Sequence, residues 1–189
     1  MAAMLQMTTY IVLGVCWVIW FLAFLRPQRR AAGQKEAVRA PSSRWGILLV
    51  MLAYACEWAF VHPDGFHKSE ASLIASILVG PPSVVLAWMA TRHLDKQWRF
   101  EAALSDDHEL IKTGPYRWLR HPIYTSMLGM LLATGLARAW WPLLVAGLVL
   151  YAIGTEIRIR AEERLLASRF GAEYTEYRRT ARACVPFFR

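Results

Sequence analysis

The apolar residues of this chain fall into runs of about twenty, and no other feature limits its fold so strongly. Met1 to Leu25 contains no charged side chain at all. A bilayer core about 30 Å thick is crossed by about 20 apolar residues of helix, and a helix satisfies its own backbone groups where no water reaches them. Five stretches meet that description: one within Met4–Leu25, then Trp45–His62, Ala71–Thr91, Pro122–Ala137 and Ala139–Thr155. The last two are short and meet around Arg138, which predicts a tight hairpin. The first lacks a basic leader and an A-x-A site, so it reads as a retained span rather than a signal peptide. Composition agrees. The chain has 189 residues, 56% of them hydrophobic and 19% charged, whereas a soluble domain lies nearer half apolar and a quarter charged. The expected fold is all-α: a polytopic membrane protein with about five transmembrane helices and a cytoplasmic C-terminal helix.

Lys and Arg concentrate in the cytoplasmic loops of such proteins. Arg26–Arg44 holds six, Arg92–Arg120 six and Glu156–Arg189 eight, against only Lys68 and Arg138 between the other spans. The N-terminus is therefore expected outside, with both long loops and the tail in the cytoplasm. This distribution accounts for the net charge of +8, and there is no basic helix interleaved with aromatics outside the membrane flanks. Nucleic acid is not an expected partner; the bilayer is. Cys16, Cys56 and Cys184 form no C-x-x-C pair, so neither a disulfide framework nor a metal site is indicated. Arg26–Ser43 reads as a polar linker at the headgroup surface.

Two features inside the spans are ambiguous. Glu57 is an acid within an apolar run, by default a functional candidate, yet it lies five residues from His62, where the outer interface would let it reach water. Pro81-Pro82 removes two backbone donors and is not expected in an unbroken helix. It reads as a packing kink or a cavity wall.

The polar residues converge in the last 90 positions. One element is the loop His108 to Tyr124, where Gly114-Pro115-Tyr116 signals a turn and Pro122 suits the first turn of a helix. Arg120 and His121 then stand at a helix N-terminus, which favours a carboxylate; an interfacial anchor belt is the plainer reading. The other element runs from Pro142 to Phe170 without proline, and Gly171 suits its end. Its 29 residues would extend about 44 Å at 1.5 Å each, so it must project beyond the membrane. The projecting part carries Arg158 and Glu162 four apart, which alone would be a solvated ion pair.

Together these elements carry a resemblance. Gly114-Pro115-Tyr116 followed by Arg120-His121-Pro122-Ile123-Tyr124 resembles the signature of the isoprenylcysteine carboxyl methyltransferases and their phospholipid methyltransferase relatives. Glu162-Glu163, Phe170-Gly171, Tyr174, Tyr177 and Pro186 resemble the rest of it. The similarity covers about Glu101 to Phe187. It implies division of the chain into residues 1–100, holding three spans and the linker, and residues 101–189, a cofactor-binding and catalytic half. It also implies that S-adenosyl-L-methionine is the cofactor. By position its contacts fall on Glu101, His108, Glu109, Leu110, Ile111, Tyr116, His121, Pro122, Ile123, Tyr124 and Glu162, with Arg158 and Glu162 catalytic. Arg158 would face the acceptor, since arginine binds carboxylates bidentately. Glu101 stands where the eukaryotic enzymes carry Gln, and Arg160-Ala161 replaces part of a longer acidic run. The soluble methyltransferase route is disfavoured independently, because no two of the 11 glycines sit two apart to form a G-x-G turn.

The expected activity is methyl transfer at the cytoplasmic face, to the carboxylate of an isoprenylcysteine-like substrate or to another lipophilic acceptor, a phospholipid amine or a thiol. An amine must lose a proton, which would make Glu162 or His108 a base. The rival readings are an NADPH-dependent membrane reductase and a non-enzymatic membrane scaffold. The Ala/Arg-rich style points to a bacterial plasma membrane; a eukaryotic source would place the protein in the endoplasmic reticulum.

Overall fold

The computed structural model describes residues 2–25, 38–39, 43–58, 67–94, 103–104 and 110–184. Five helices form almost all of it: α1 (Ala2–Phe24), α2 (Ser43–Trp58), α3 (Glu70–Leu94), α4 (Pro122–Arg138) and α5 (Trp141–Thr180). A 3-10 turn, Gly114–Arg117, precedes α4. Two residues of each long loop, Val38–Arg39 (β1) and Ala103–Leu104 (β2), pair antiparallel, a minor addition to an all-α fold. Three helices, α1, α3 and α5, are long and apolar enough to cross a membrane by length and composition. Among the described residues α2 and α4 have 16 and 17 residues, shorter than a full crossing of about 20.

The α2–α5 seam follows from side-chain size. The buried residues of α2 are Ser43, Gly46, Val50, Ala53 and Glu57, spaced three and four apart, so they share one face. Opposite them α5 buries Gly147, Tyr151, Gly154 and Arg158. A Cβ on Gly154 would stand 2.8 Å from the Gly46 carbonyl oxygen, and one on Gly147 would stand 3.1 Å from that of Ala53. The pairs Gly46–Gly154 and Ala53–Gly147 recur after seven residues on both helices, which fixes an antiparallel register. Lipid is as apolar as leucine, so helices in it associate by close packing and hydrogen bonds rather than by the hydrophobic effect.

Hydroxyls join α3 to α4. Ser72 Oγ donates to the Leu136 carbonyl and Ser76 Oγ to that of Ala133, both at 2.7 Å. Further along α3, Val84 and Ala87 pack with Cys16, Trp20 and Ala23 of α1 and with Met130 of α4. The outer surfaces of α1, α2 and α3 expose large apolar side chains such as Ile11, Val18, Met51 and Leu78, as a lipid-facing bundle requires.

Two sequence expectations are corrected. Helix α3 is continuous across Pro81-Pro82. Both prolines are exposed, and a Cβ on Gly80 before them would stand 3.5 Å from Cys16 Sγ. Glu57 does not reach water. It is fully buried, because its carboxylate lies between two helix backbones. A Cβ on Gly147 would stand 2.5 Å from Glu57 Oε1, and one on Gly135 would overlap Oε2. Lys68 donates to the Gly135 carbonyl at 2.9 Å, and its charge acts on Glu57. Distance along the sequence from His62, which lies outside the described residues, says nothing about lateral burial.

Helix α5 begins after Trp140 with Pro142 in its first turn. At Gly171 the backbone takes φ 52°, ψ −118°, a conformation that only glycine adopts readily. The chain changes direction there and continues as a helix to Thr180 rather than ending. Residues 181–184 then fold back beside the segment entering α4: Arg120 N–H donates to the Arg182 carbonyl at 2.7 Å, His121 N–H to that of Ala183 at 2.8 Å, and Arg182 N–H to that of Trp118 at 3.0 Å.

Candidate active site

The site forms where the N-terminus of α4 meets α5 one turn beyond its apolar part. The fold-back of residues 181–184 holds Arg120 and His121 by their backbones, and Pro122 opens the helix. Tyr124, two residues on, points across to α5 and stacks with the His121 ring, centroids 5.7 Å apart. Its backbone is held as well, since Tyr151 of α5 donates to the Tyr124 carbonyl at 2.6 Å.

Arg158 and Glu162 are not a solvated pair. Arg158 is only 8% exposed. Its Nε donates to the Tyr124 hydroxyl at 2.8 Å, and its Nη2 lies 3.6 Å from Glu162 Oε1. The Tyr124 hydroxyl in turn donates to Glu162. His121 Nδ1 stands 3.4 Å from Glu162 Oε2. Four side chains from two helices thus form one closed cluster. Burial opposes ionisation of Glu162, but His121, Arg158 and Tyr124 outweigh it and lower its pKa.

A second pair lies behind the first. Arg120 donates from Nε to Glu163 Oε1 at 2.9 Å, with Nη2 at 2.8 Å from the same oxygen. Arg120 also donates to the carbonyls of Arg178 and Ala181. His121 Nε2 is 3.6 Å from Glu163 Oε1, so the imidazole bridges both acids. Burial disfavours its charged form, but the two carboxylates dominate and its pKa is raised. Burial likewise pushes Glu163 up, and the bond from His121 and the charge of Arg120 bring it down to about 2.

Of the residues picked out in the sequence, Tyr116, His121, Pro122 and Tyr124 are buried here. The Tyr116 carbonyl accepts from the Tyr177 hydroxyl at 2.6 Å. Leu110 packs on Tyr174, Tyr177 and Ala181; Ile111 and Ile123 are half-buried. Glu101, His108 and Glu109 lie outside the described residues. Among the described residues no three His, Cys, Asp or Glu could hold a metal ion. Gly46 of α2 had no signal in the sequence, yet a Cβ there would stand 2.6 Å from Arg158 Cγ. Glu163 and Arg120 were visible only as motif members, and their roles were not.

A motif entering one helix and an acid pair four residues past an arginine on the next would be a coincidence unless both blocks served one site. The isoprenylcysteine carboxyl methyltransferase family model matches residues 73–168, just over half of the chain. The chain belongs to the isoprenylcysteine carboxyl methyltransferase family. The family-matched segment contains all but the first three residues of α3, the whole of α4 and every member of the cluster around Tyr124. Three curated relatives are similar over parts of this family member. A protein-S-isoprenylcysteine O-methyltransferase of Saccharomyces cerevisiae is 38% identical over 92 residues, 43% of this chain and 34% of its own. A methanethiol S-methyltransferase of Mycobacterium tuberculosis is 37% identical over 78 residues, 38% of this chain and 28% of its own. The uncharacterized protein YpbQ of Bacillus subtilis is 27% identical over 110 residues, 50% of this chain and 66% of its own. The chain thus spans about a third of the length of the first two relatives.

Proposed function

We propose that this integral membrane protein transfers a methyl group from S-adenosyl-L-methionine to the carboxylate of a lipophilic, isoprenylcysteine-like acceptor at the cytoplasmic membrane face. The observation that carries the reading is the buried Arg158–Tyr124–Glu162–His121 cluster at the junction of α4 and α5. In this reading the chain crosses a bacterial plasma membrane five times, with its N-terminus outside, and residues 101–189 form the catalytic half.

The residues present fit the cofactor. Glu162 keeps 24% of its side chain exposed, so its carboxylate has an open side for the cofactor's ammonium or ribose. His121 Nε2 is buried and meets Glu163 Oε1 only at 3.6 Å, beyond hydrogen-bond distance, and suits the cofactor's carboxylate. Leu110, Ile111, Tyr116, Pro122 and Ile123 supply an apolar wall. Glu101, His108 and Glu109 belong to the same binding set by their place in the motif.

When bound, S-adenosylmethionine supplies an electrophilic methyl on a sulfonium; transfer forms a C–O bond, breaks a C–S bond and neutralises both charges. The protein's own task is to align donor and acceptor and exclude water. Arg158 is positioned by Tyr124 to bind the acceptor carboxylate, which needs no general base. An amine or thiol acceptor would have to lose a proton. The cluster lowers the pKa of Glu162, which makes its carboxylate a weak base, and raises that of His121, which favours its protonated form, so neither is well suited to take one. That favours the carboxylate over the phospholipid-amine and thiol readings. A scaffold would have no use for four polar side chains buried at an interhelix junction, since burying them costs stability.

Calorimetric titration of the detergent-solubilised protein with S-adenosylhomocysteine, and with NADPH in parallel, tests the reading. Binding of the adenosyl ligand alone supports it. NADPH binding alone would install the reductase, and no binding by a folded sample would leave the scaffold. Arg158→Ala should lose methyl transfer while S-adenosylhomocysteine still binds; turnover like that of the unaltered protein would remove Arg158 from the site.

A further inference from the structure

Helix α2 lies outside the family-matched segment, and nothing in that match assigns it a role. It nevertheless reaches the site. The residues Ser43, Gly46, Val50, Ala53 and Glu57 share one face of α2, on which Gly46, Val50, Ala53 and Glu57 meet Gly147, Gly154 and Arg158 of α5, and the antiparallel register brings the first turn of α2 level with Arg158. The Arg158 stem lies directly on Gly46. A Cβ there would stand 2.6 Å from Arg158 Cγ, 3.4 Å from Cδ and 2.6 Å from the Gly154 carbonyl oxygen. Only glycine leaves room for the stem, and the guanidinium is thereby directed to the Tyr124 hydroxyl.

One turn earlier on the same face stands Ser43. It is 4% exposed, and its hydroxyl has no hydrogen-bond partner among the described residues. A buried hydroxyl without a partner is costly, and it sits on the side of α2 that meets α5. It also opens a helix of 16 residues, whose first N–H groups have no intrahelical acceptor and whose dipole favours an anion. A hydroxyl, a helix N-terminus and a guanidinium on one seam are donors for the same kind of ligand.

We infer that the first turn of α2 is the acceptor subsite: Gly46 positions Arg158, and Ser43 donates to the acceptor carboxylate that Arg158 binds. This rests on the methyl-transfer reading above and adds to it the element that recognises the acceptor's charged end. The cofactor side is built on the entry to α4 and on Glu162 of α5.

The test compares binding of N-acetyl-S-farnesyl-L-cysteine and its methyl ester to protein saturated with S-adenosylhomocysteine. The two probes share the lipid tail and differ in the anion. The unaltered protein should favour the acid by about tenfold or more, as a hydrogen bond to a charged group implies. Ser43→Ala and Gly46→Ala should each shrink that preference severalfold while affinity for S-adenosylhomocysteine stays within about twofold. A full acid preference retained in either variant overturns the proposal, as does an unaltered protein that does not discriminate acid from ester. Should Gly46→Ala fail to fold, because its Cβ also meets a backbone oxygen, Ser43→Ala decides alone. Loss of adenosyl binding in the unaltered protein would instead remove the methyl-transfer reading.

Discussion

Removing the Arg120 guanidinium should destabilise the protein more than a loss at any exposed ion pair. The side chains of Arg120 and Glu163 are 4% and 8% exposed, and Arg120 also donates to the carbonyls of Arg178 and Ala181. Taking one partner from a buried pair costs about 3–5 kcal/mol, because the other charge is left uncompensated. Arg120→Met should fall near the lower end, since Glu163 keeps His121 at 3.6 Å and Arg178 at 3.8 Å. About 3 kcal/mol in a chain of 189 residues corresponds to a melting midpoint about 6–12 °C lower. The assay is thermal unfolding in detergent by intrinsic fluorescence. The logic is sharpest in the double variant. If stranded charge dominates, Arg120→Met with Glu163→Gln should melt above Arg120→Met alone, although it carries one more substitution. A double variant that melts below the single by the full effect of Glu163→Gln would refute the reasoning, and so would a single variant within 1 °C of the unaltered protein.

Glu162→Gln should weaken S-adenosylhomocysteine binding by about tenfold or more, as expected for a bond between charged groups, with little change in melting; unchanged calorimetric affinity would take Glu162 out of the cofactor's reach. The His121 pKa is raised in the folded state, so its contribution is fully present below the unfolded value near 6.5 and is lost as pH rises through the folded one. The melting midpoint should therefore fall with rising pH above about 6.5, and His121→Gln should flatten that slope; an unchanged slope would mean that His121 is not the titrating group. Tyr177→Phe removes the donor to the Tyr116 carbonyl and should cost about 1 kcal/mol, seen as a melting midpoint about 2–4 °C lower; no shift would show that water replaces the bond.

Features that act through one-dimensional spacing were legible in the sequence. Run length located the long helices, and Pro142 with Gly171 marked both ends of the straight part of α5, because proline suits a first turn and glycine an abrupt change of direction. Features that depend on lateral packing were not legible. Glu57 looked accessible because it is near the end of an apolar run, yet its burial is decided by Gly135 and Gly147, 78 and 90 positions away, whose missing side chains make room for it. Pro81-Pro82 looked disruptive because the lost donors are a local fact. The helix stays continuous with both rings on its outer surface, a property of the bundle rather than of the dipeptide. Arg158 and Glu162 could equally have been a surface pair at their spacing, and only the arrival of Tyr124 and His121 from α4 decides otherwise.

The adjacent acids show how one short motif can serve two ends. Residues one apart on a helix differ by about 100° in direction, so Glu162 and Glu163 turn to different arginines. Glu163 turns to Arg120 and the fold-back at residues 181–184, whereas Glu162 turns to Tyr124 and Arg158. His121 lies between and touches both. Its charge is shared by a pair that holds the scaffold and a pair that faces the ligand, so the scaffold sets the electrostatics of the site without entering it. A change at Glu163 should therefore alter melting first and ligand affinity only through His121, and a change at Glu162 the reverse. That ordering follows from helical geometry alone, and it explains why the two neighbouring glutamates are not interchangeable despite their identical chemistry.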